Sequence, residues 1–359
     1  MSETVAFNTP HGIFVSNGEV FICDANNHRV RKLLRNGQCV TIAGTGTAGY
    51  ANISKRNGHN QWATRVHLNI PSDVFVSSLD QVYISEFANC TVRKICPNGI
   101  MKTIAGTGLE GYNGDNQLAT SAMLKCPMGL FVDDEEEVFV CDSCNNRIRK
   151  VDKNGMITTI VGNGKEGYNG DDQLATSAML NFPTGITIYR NEIYFCDTNN
   201  HRIRKVDQNG IITTIAGTGV SGFNGDDQLA TSAMLNAPFS LVVQKDGLIF
   251  TDWYNHRVRK VLPNGMITTI AGEDNSTENG LYYPKGIAVE GSTIYVSDNL
   301  HRICKIETNG KVTRIAGTGE KKYSGDVPFS IKKYPHRGRR VTIKPFPKAF
   351  QDITFNFNN

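Results

Sequence analysis

Short stretches rich in β-branched and aromatic residues recur along the chain, separated by Gly, Asn and Asp. Between residues 183 and 219 they read GITI, EIYFCD, HRIRKV and IITTIAG. Stretches of this length, bounded by turn-forming residues, predict β-strands rather than helices. Asn209-Gly210 separates the third stretch from the fourth, and an Asn-Gly step favours a tight hairpin because both residues tolerate positive φ. The segment therefore predicts a four-stranded antiparallel meander.

The same pattern occurs six times. Each copy opens with a proline, at Pro10, Pro71, Pro127, Pro183, Pro238 and Pro284. An isolated meander exposes two apolar faces, so six in series must bury those faces against one another. Radial stacking into a closed ring achieves this burial and leaves only short sheet edges. We therefore predict an all-β fold, a six-bladed β-propeller in which each blade is a four-stranded antiparallel meander.

The ends of the repeats predict one propeller domain over residues 1–326 and a tail over residues 327–359. Residues 6–10 match the end of an inter-blade linker and residues 317–326 match its beginning, so every blade is expected to come from one continuous segment. Residues 331–359 contain seven Lys/Arg and one Asp, whereas the whole chain carries a formal charge of +4. The propeller is therefore slightly acidic. We expect the basic tail to be disordered or to add an edge strand.

The turn between the second and third stretches carries the most distinctive motif. It reads DANNHRVRK at 24–32, DTNNHRIRK at 197–205 and DWYNHRVRK at 252–260. Together with the opening PxGI and the closing TIAG, these turns resemble NHL repeats over about residues 7–326. The resemblance implies a six-bladed propeller that serves as a binding platform for protein or RNA, as in tripartite-motif ubiquitin ligases, translational repressors and teneurins. A related minority are enzymes, such as the peptide-amidating lyase.

An acidic residue and an arginine recur at this turn, and we interpret them as structural pairs. An Asp at the end of a strand accepts turn N–H groups, and an Arg fork suits its carboxylate. Equivalent pairs repeated around a ring do not make one catalytic centre. The predicted pairs are Asp24/Arg29, Asp142/Arg147, Asp197/Arg202, Asp252/Arg257 and Asp298/Arg302.

Other candidate motifs also favour structural roles. A GxGxxG pattern occurs in four linkers without opening a helix, which excludes a dinucleotide site. The Asn-Gly-Asp turns, as at 113–115, lack the ligands of a calcium loop, so we expect the Asp to cap the short helical turn that follows. Cys141 and Cys144 form a lone CxxC, which does not predict a zinc or redox site. His28, His201, His256 and His301 share one turn position. We expect no catalytic residue, metal or cofactor.

The chain has no apolar run long enough to cross a bilayer and no basic, apolar leader at its start. Its nine cysteines are an odd number, which favours free thiols in a reducing compartment. We expect a cytoplasmic monomer that does not bind membranes.

Strand alternation places the second-to-third turns and the inter-blade linkers on one face, which we call the linker face, and the Asn-Gly hairpins on the other. Departures from the repeat are the best guide to a single binding site in a repeat protein. They are Trp253, Tyr254, Phe87, Lys55 and Arg56. Exposed aromatic and Arg side chains are typical binding anchors.

We therefore predict a non-catalytic scaffold that binds a protein or peptide on the linker face. One alternative is an RNA-binding propeller that uses a basic face or the tail. A second alternative is a metal-dependent lyase or lactonase-like enzyme.

Overall fold

A computed structural model describes residues 5–49, 60–272 and 280–323. These residues lie in one compact unit, Met1–Val327, whereas a second unit, Pro328–Asn359, lies outside the described residues. The predictions for the basic tail therefore fall on residues that the structure does not describe.

Six antiparallel sheets form the described fold, and each comes from one continuous segment of the chain. Blades 1 and 6 are four-stranded, with β1 (Pro10–Ser16), β2 (Glu19–Asp24), β3 (Arg29–Leu33) and β4 (Cys39–Ala43), and β25 (Ile287–Glu290), β26 (Thr293–Asp298), β27 (Arg302–Ile306) and β28 (Val312–Ala316). Blades 2 and 3 contain β5 (Gln61–Trp62), β6 (Pro71–Val76), β7 (Val82–Glu86), β8 (Thr91–Ile95) and β9 (Ile100–Ala105), and β10 (Gln117–Leu118), β11 (Pro127–Val132), β12 (Val138–Asp142), β13 (Arg147–Val151) and β14 (Met156–Val161). Blades 4 and 5 contain β15 (Gln173–Leu174), β16 (Pro183–Tyr189), β17 (Glu192–Asp197), β18 (Arg202–Val206) and β19 (Ile211–Ala216), and β20 (Gln228–Leu229), β21 (Pro238–Gln244), β22 (Gly247–Asp252), β23 (Arg257–Val261) and β24 (Met266–Ala271).

Blades 2 to 5 carry a fifth strand that the hydrophobic pattern does not predict. The linker before each blade adds two residues to the outer edge of that blade, as where Leu118 of β10 pairs with Met156 of β14. A two-residue strand is too short to show a period in the sequence. The four-stranded meander predicted for each blade is confirmed, and the linkers extend four of these meanders.

Single-turn 3-10 helices mark two recurring positions on the linker face. Some lie between the second and third strands, at Ala25–Asn27, Ser143–Asn145, Thr198–Asn200 and Trp253–Asn255. Others lie in the linkers, at Ala63–Arg65, Ala119–Ser121, Ala175–Ser177 and Ala230–Ser232.

The six sheets close into a ring. Each inner strand packs on the next, from β1 through β6, β11, β16, β21 and β25, and β25 packs back on β1. Each apolar core cluster lies between two neighbouring blades. The cluster at the closure, for example, joins Phe7 and Ile22 to Ile303 of blade 6. The predicted burial of meander faces against one another, and hence the six-bladed propeller, is confirmed.

Candidate binding surface on the linker face

The acidic residue at the end of each second strand pairs with an arginine deeper in the blade than the sequence suggests. In blade 4, Arg204 Nη1 lies 3.4 Å from Asp197 Oδ2, and both side chains are fully buried. Arg202 stands directly opposite Asp197 in the β-ladder, but its guanidinium reaches past the carboxylate and donates to the carbonyl oxygens of the flanking loops. Arg204 lies two residues further along the same face of the strand, and it forms the ion pair with the carboxylate instead.

The predicted pairing is therefore wrong in blades 1, 3, 4 and 5, where Asp24/Arg29, Asp142/Arg147, Asp197/Arg202 and Asp252/Arg257 do not form. The observed pairs are Asp24–Arg31, Glu86–Arg93, Asp142–Arg149, Asp197–Arg204 and Asp252–Arg259. Blade 6 follows the prediction: Asp298 pairs with Arg302. There Cys304 occupies the deeper position, so no second arginine competes for the carboxylate.

The Asn-Gly-Asp turns of the linkers brace these arginines. Asp115 Oδ1 accepts hydrogen bonds from Arg149 Nη2 at 2.7 Å and from Thr159 Oγ1 at 3.0 Å. It does not cap the following 3-10 helix, as the sequence analysis expected, because the buried guanidinium is a stronger donor than the turn amides. The Tyr112 ring lies under Arg147, with the guanidinium carbon 3.9 Å from the ring centroid. Blades 4 and 5 repeat this arrangement.

The turn histidines hold one blade to the next. His201 Nδ1 accepts the backbone N–H of Ala237 at 3.1 Å, at the start of the inner strand of blade 5. Burial lowers the pKa of His201, and the charge of Arg202 lowers it further, which keeps the ring nitrogen available as an acceptor. His28, His256 and His301 make the same contact with the following blade. This contact accounts for the recurring histidine without a catalytic role.

The linker face of blades 5 and 6 departs from this symmetry. Six rings, which we call the aromatic cluster, contact one another there: Phe239, Trp253, Tyr254, His256, Tyr282 and Tyr283. Trp253 and Tyr254 stack with their ring centroids 4.2 Å apart. The Tyr283 ring contacts that of Tyr254 edge-on at 5.5 Å and lies 4.2 Å from that of His256. Trp253 and Tyr254 depart from the repeat in the sequence, and the structure adds four neighbours to them.

The aromatic cluster contains a buried donor that has no partner in the part of the chain that the structure describes, and a hydroxyl whose pKa is raised. The Nε1 atom of Trp253 is buried and has no hydrogen-bond partner within the described residues. An indole N–H that loses contact with water normally finds an acceptor. Burial raises the pKa of Tyr254 to about 12, so its hydroxyl stays protonated. The cluster therefore combines a large apolar area with an unsatisfied donor.

A buried amine lies behind the aromatic cluster, at the start of the central channel. Lys285 Nζ lies 5.3 Å from the Trp253 ring and 2.8 Å from His11 Nε2. Burial lowers the pKa of Lys285 to about 7. Burial, and then the Lys285 charge, lower the pKa of His11. Both groups thus favour their neutral forms in this apolar setting.

Asp73 is the acidic residue of the channel wall. Gly12, Gly129, Gly185 and Gly286 occupy its position in four other blades, and these residues line a cavity of about 20 Å³, which is room for one water molecule. Asp73 Oδ2 accepts the backbone N–H of Leu130 at 3.0 Å. Burial raises the pKa of Asp73 to about 7.

The remaining predicted site residues do not join the aromatic cluster. Phe87 is half-buried in the second-to-third turn of blade 2, across the ring from blade 5. Lys55 and Arg56 lie outside the described residues. Within the described ranges no group of three or more His, Cys, Asp or Glu is placed to hold a metal ion. In the same part of the chain, no helix is long and apolar enough to cross a bilayer.

Comparison with known proteins extends this picture. The Teneurin NHL domain model matches residues 102–169 and 163–223, and the NHL repeat model matches residues 7–33. Protein SUPPRESSOR OF QUENCHING 1, chloroplastic, of Arabidopsis thaliana is 29% identical over 276 residues, which cover 72% of this chain and 25% of that protein. Human NHL repeat-containing protein 2 is 27% identical over 282 residues, covering 70% of this chain and 39% of its own length. The chain thus spans well under half of either relative.

Among solved structures, a catalytically inactive virginiamycin B lyase from Staphylococcus aureus with quinupristin superimposes with a TM-score of 0.53. It is 17% identical, and the match covers 91% of this chain and 90% of that chain. At this identity the likeness concerns the fold alone.

The closed ring of sheets and the turn motif at each blade define a β-propeller built from internal repeats. The turn carboxylate, the buried arginine and the blade-to-blade histidine are the residues that form this repeated motif. In these residues, and over the ranges that the two family models match, the chain is similar to NHL-repeat proteins.

Proposed function

We propose that this chain is a protein-interaction module that holds a peptide segment of its partner on the aromatic cluster. One observation carries the proposal: Trp253, Tyr254 and Tyr283 form a continuous, asymmetric ring surface on the linker face. Trp and Tyr give a large contact area at low cost in side-chain entropy, and they are enriched at binding hot spots.

The turn of blade 5 folds without needing these rings. Blade 4 forms the same 3-10 turn with Thr198 and Asn199 where blade 5 has Trp253 and Tyr254. The residue that ends the turn is left-handed in both, with φ of 51° at His201 and 57° at His256. Since polar residues satisfy this backbone, the aromatic pair of blade 5 serves another purpose.

The repeated arginines do not favour RNA as the ligand. Arg31, Arg93, Arg149, Arg204 and Arg259 are fully buried. Their guanidinium groups contact carboxylates inside the blades, whereas phosphate binding needs accessible positive charge. In a mobility-shift assay with total RNA, we expect the propeller to cause no retardation of the RNA that falls steeply with salt.

The test exchanges the turn of blade 5 for that of blade 4. The double variant Trp253→Thr, Tyr254→Asn is expected to keep the melting temperature close to that of the parent and to lose the captured partner set in quantitative affinity capture. Asn199→Ser in blade 4 is the matched control and is expected to keep that set. A double variant that folds and retains every partner would place the binding site elsewhere.

A separate assay tests the enzyme alternative. The parent chain is incubated with cyclic peptide lactones and small lactones, with and without divalent cations, and no turnover is expected. Metal-dependent product formation would contradict the proposed non-catalytic role.

A further inference from the structure

Three cysteines meet on the linker face between blades 2 and 3. Cys126 directly precedes the inner strand of blade 3, and Cys144 lies in the second-to-third turn of the same blade. Cys90 lies in the corresponding turn of blade 2. Cys126 and Cys144 are half-buried, whereas Cys90 is 6% exposed. Neither the proposed peptide site nor the fold requires thiols at these positions.

The repeat geometry makes the side chains of Cys126 and Cys144 neighbours. The backbone N–H of Cys144 donates to Lys125 O at 3.2 Å, which sets the turn against the residue before Cys126. Blade 1 has the same backbone contact, from Asn26 N–H to Asn8 O at 3.1 Å. There the side chains of Asn26 and Thr9, which occupy the positions of Cys144 and Cys126, hydrogen-bond at 3.0 Å.

In blade 3 both positions hold thiols, which the same backbone contact makes neighbours. The neighbouring Cys126 lowers the pKa of Cys144, whereas Cys144 and burial raise the pKa of Cys126. Cys144 is therefore the thiol of the pair that ionises more readily. A thiolate, rather than a thiol, is the nucleophile in cysteine chemistry.

Cys90 brings the third sulfur to the same place. It occupies the position of the blade-to-blade histidines, of which His201 contacts the residue before the next inner strand, so Cys90 lies beside Cys126. Burial raises the pKa of Cys90 to about 11, which keeps it protonated. Cys90 is thus a third, protonated thiol beside Cys126 and Cys144.

We propose that Cys126 and Cys144 form a dithiol site that reduces a hydroperoxide and closes to a disulfide. Cys144 loses its proton and attacks the hydroperoxide as the thiolate, the O–O bond breaks, and the alkoxide takes up the proton that Cys144 released and leaves as the alcohol. The resulting sulfenic acid on Cys144 is attacked by the sulfur of Cys126, which gives up its proton as the S–O bond breaks and water leaves. Two thiols and one hydroperoxide thereby yield one disulfide, one alcohol and one water.

The disulfide would tie the start of the inner strand of blade 3 to the turn of that blade. The CxxC of Cys141 and Cys144 suggests a different partner, but Cys141 is fully buried within the core cluster between blades 3 and 4. The proposed partner of Cys144 is instead Cys126, which is further away in sequence than Cys141. Closing this loop restricts the unfolded chain, so oxidation is expected to raise the melting temperature.

The test treats the folded, reduced full chain with hydrogen peroxide, blocks the remaining thiols and maps disulfides by mass spectrometry. We expect a linked peptide pair containing Cys126 and Cys144, formed before any oxidation of Cys96, a half-buried cysteine outside the cluster. A thiol reductant is expected to restore both thiols. Oxidation of Cys96 at the same rate, or absence of the linked pair, would overturn the proposal.

Variants copied from blade 1 preserve the fold while removing one sulfur at a time. Cys144→Asn is expected to abolish the disulfide and the early peroxide reaction. Cys126→Thr is expected to leave a sulfenic acid on Cys144, trapped by dimedone, or to divert it to Cys90. Cys96→Ser is the control and is expected to leave the disulfide unchanged. Retention of the early reaction in Cys144→Asn would place the nucleophile elsewhere.

Discussion

His201 joins two blades through one hydrogen bond, which its Nδ1 atom accepts from the backbone of Ala237. The residue is left-handed, with φ of 51°, a region that His and Asn tolerate better than β-branched residues. In blade 3 the same position holds Asn146, whose Oδ1 accepts the N–H of Phe182 at 3.0 Å. The position therefore needs an acceptor and a tolerance of positive φ, and imidazole is one way to meet both needs.

Two substitutions at His201 separate the acceptor from the ring. His201→Ala leaves the buried N–H of Ala237 without an acceptor and is expected to lower the free energy of unfolding by about 1–3 kcal/mol. His201→Asn copies blade 3 and is expected to retain most of that stability. Urea denaturation of the three proteins measures the difference. An Asn variant as unstable as the Ala variant would contradict the role of the acceptor.

The same histidine makes stability depend on pH. Burial, followed by the charge of Arg202, holds the pKa of His201 below its ordinary value of 6.5. Its contribution to stability is therefore complete above the pKa of the unfolded chain and is lost as the pH falls through the folded pKa. The His201→Asn variant lacks this titration. As the pH falls from about 8 to about 5, the parent loses this contribution to its free energy of unfolding and the variant does not, so the variant is expected to gain stability relative to the parent.

At the level of the strands, the third strands of blades 3, 4 and 5 are anchored from two sides. In blade 4, Arg204 contacts Asp197 of the neighbouring strand and Asp171 of the preceding linker, at 3.4 Å and 2.8 Å. Lys205, on the opposite face of the same strand, pairs with the half-buried Glu192 at 2.8 Å. The two ion pairs differ chiefly in their access to water.

Removing each cation in turn tests this difference. Arg204→Met leaves the fully buried Asp197 uncompensated and is expected to cost about 3–5 kcal/mol. Lys205→Met removes a partly exposed pair and is expected to cost less than about 1 kcal/mol. Arg202→Met distinguishes the observed pairing from the one suggested by sequence. It is expected to lower the free energy of unfolding by less than Arg204→Met does. Equal losses at residues 202 and 204 in thermal and urea unfolding would contradict the observed pairing.

The strands show which features a sequence reveals. The hairpin at Asn209-Gly210 is predictable because the chemistry of a two-residue turn is local. The partner of Asp197 is not, because Arg202 and Arg204 share one face of their strand and alternation cannot tell which side chain reaches the carboxylate. Tyr282 and Tyr283 join the aromatic cluster through the 11-residue linker before blade 6, a feature without a second copy from which to infer its path. The six blades were therefore predictable, and most of the site was not.

At the scale of the whole molecule, the ring closes with the contacts that join its other blades. His301 Nδ1 accepts the backbone N–H of Thr9 at 2.9 Å, as His201 does for the following blade. Tyr323 lies 3.9 Å from the guanidinium carbon of Arg29, which repeats the contact of Tyr112 with Arg147. Because closure needs no special residues, the asymmetry of blades 5 and 6 is not a consequence of joining the ends.

Site-specific photocrosslinking tests the proposed binding surface most directly. A benzoylphenylalanine is placed singly at Tyr254, at the equivalent Asn199 of blade 4, and at Asn209 on the hairpin face, and crosslinked peptides are sequenced after irradiation in cells. The proposal predicts that peptides of one partner protein are crosslinked at position 254, with few or none at positions 199 and 209. Equal crosslinking at all three positions, or crosslinking concentrated at position 209, would contradict the assignment of the aromatic cluster as the binding surface.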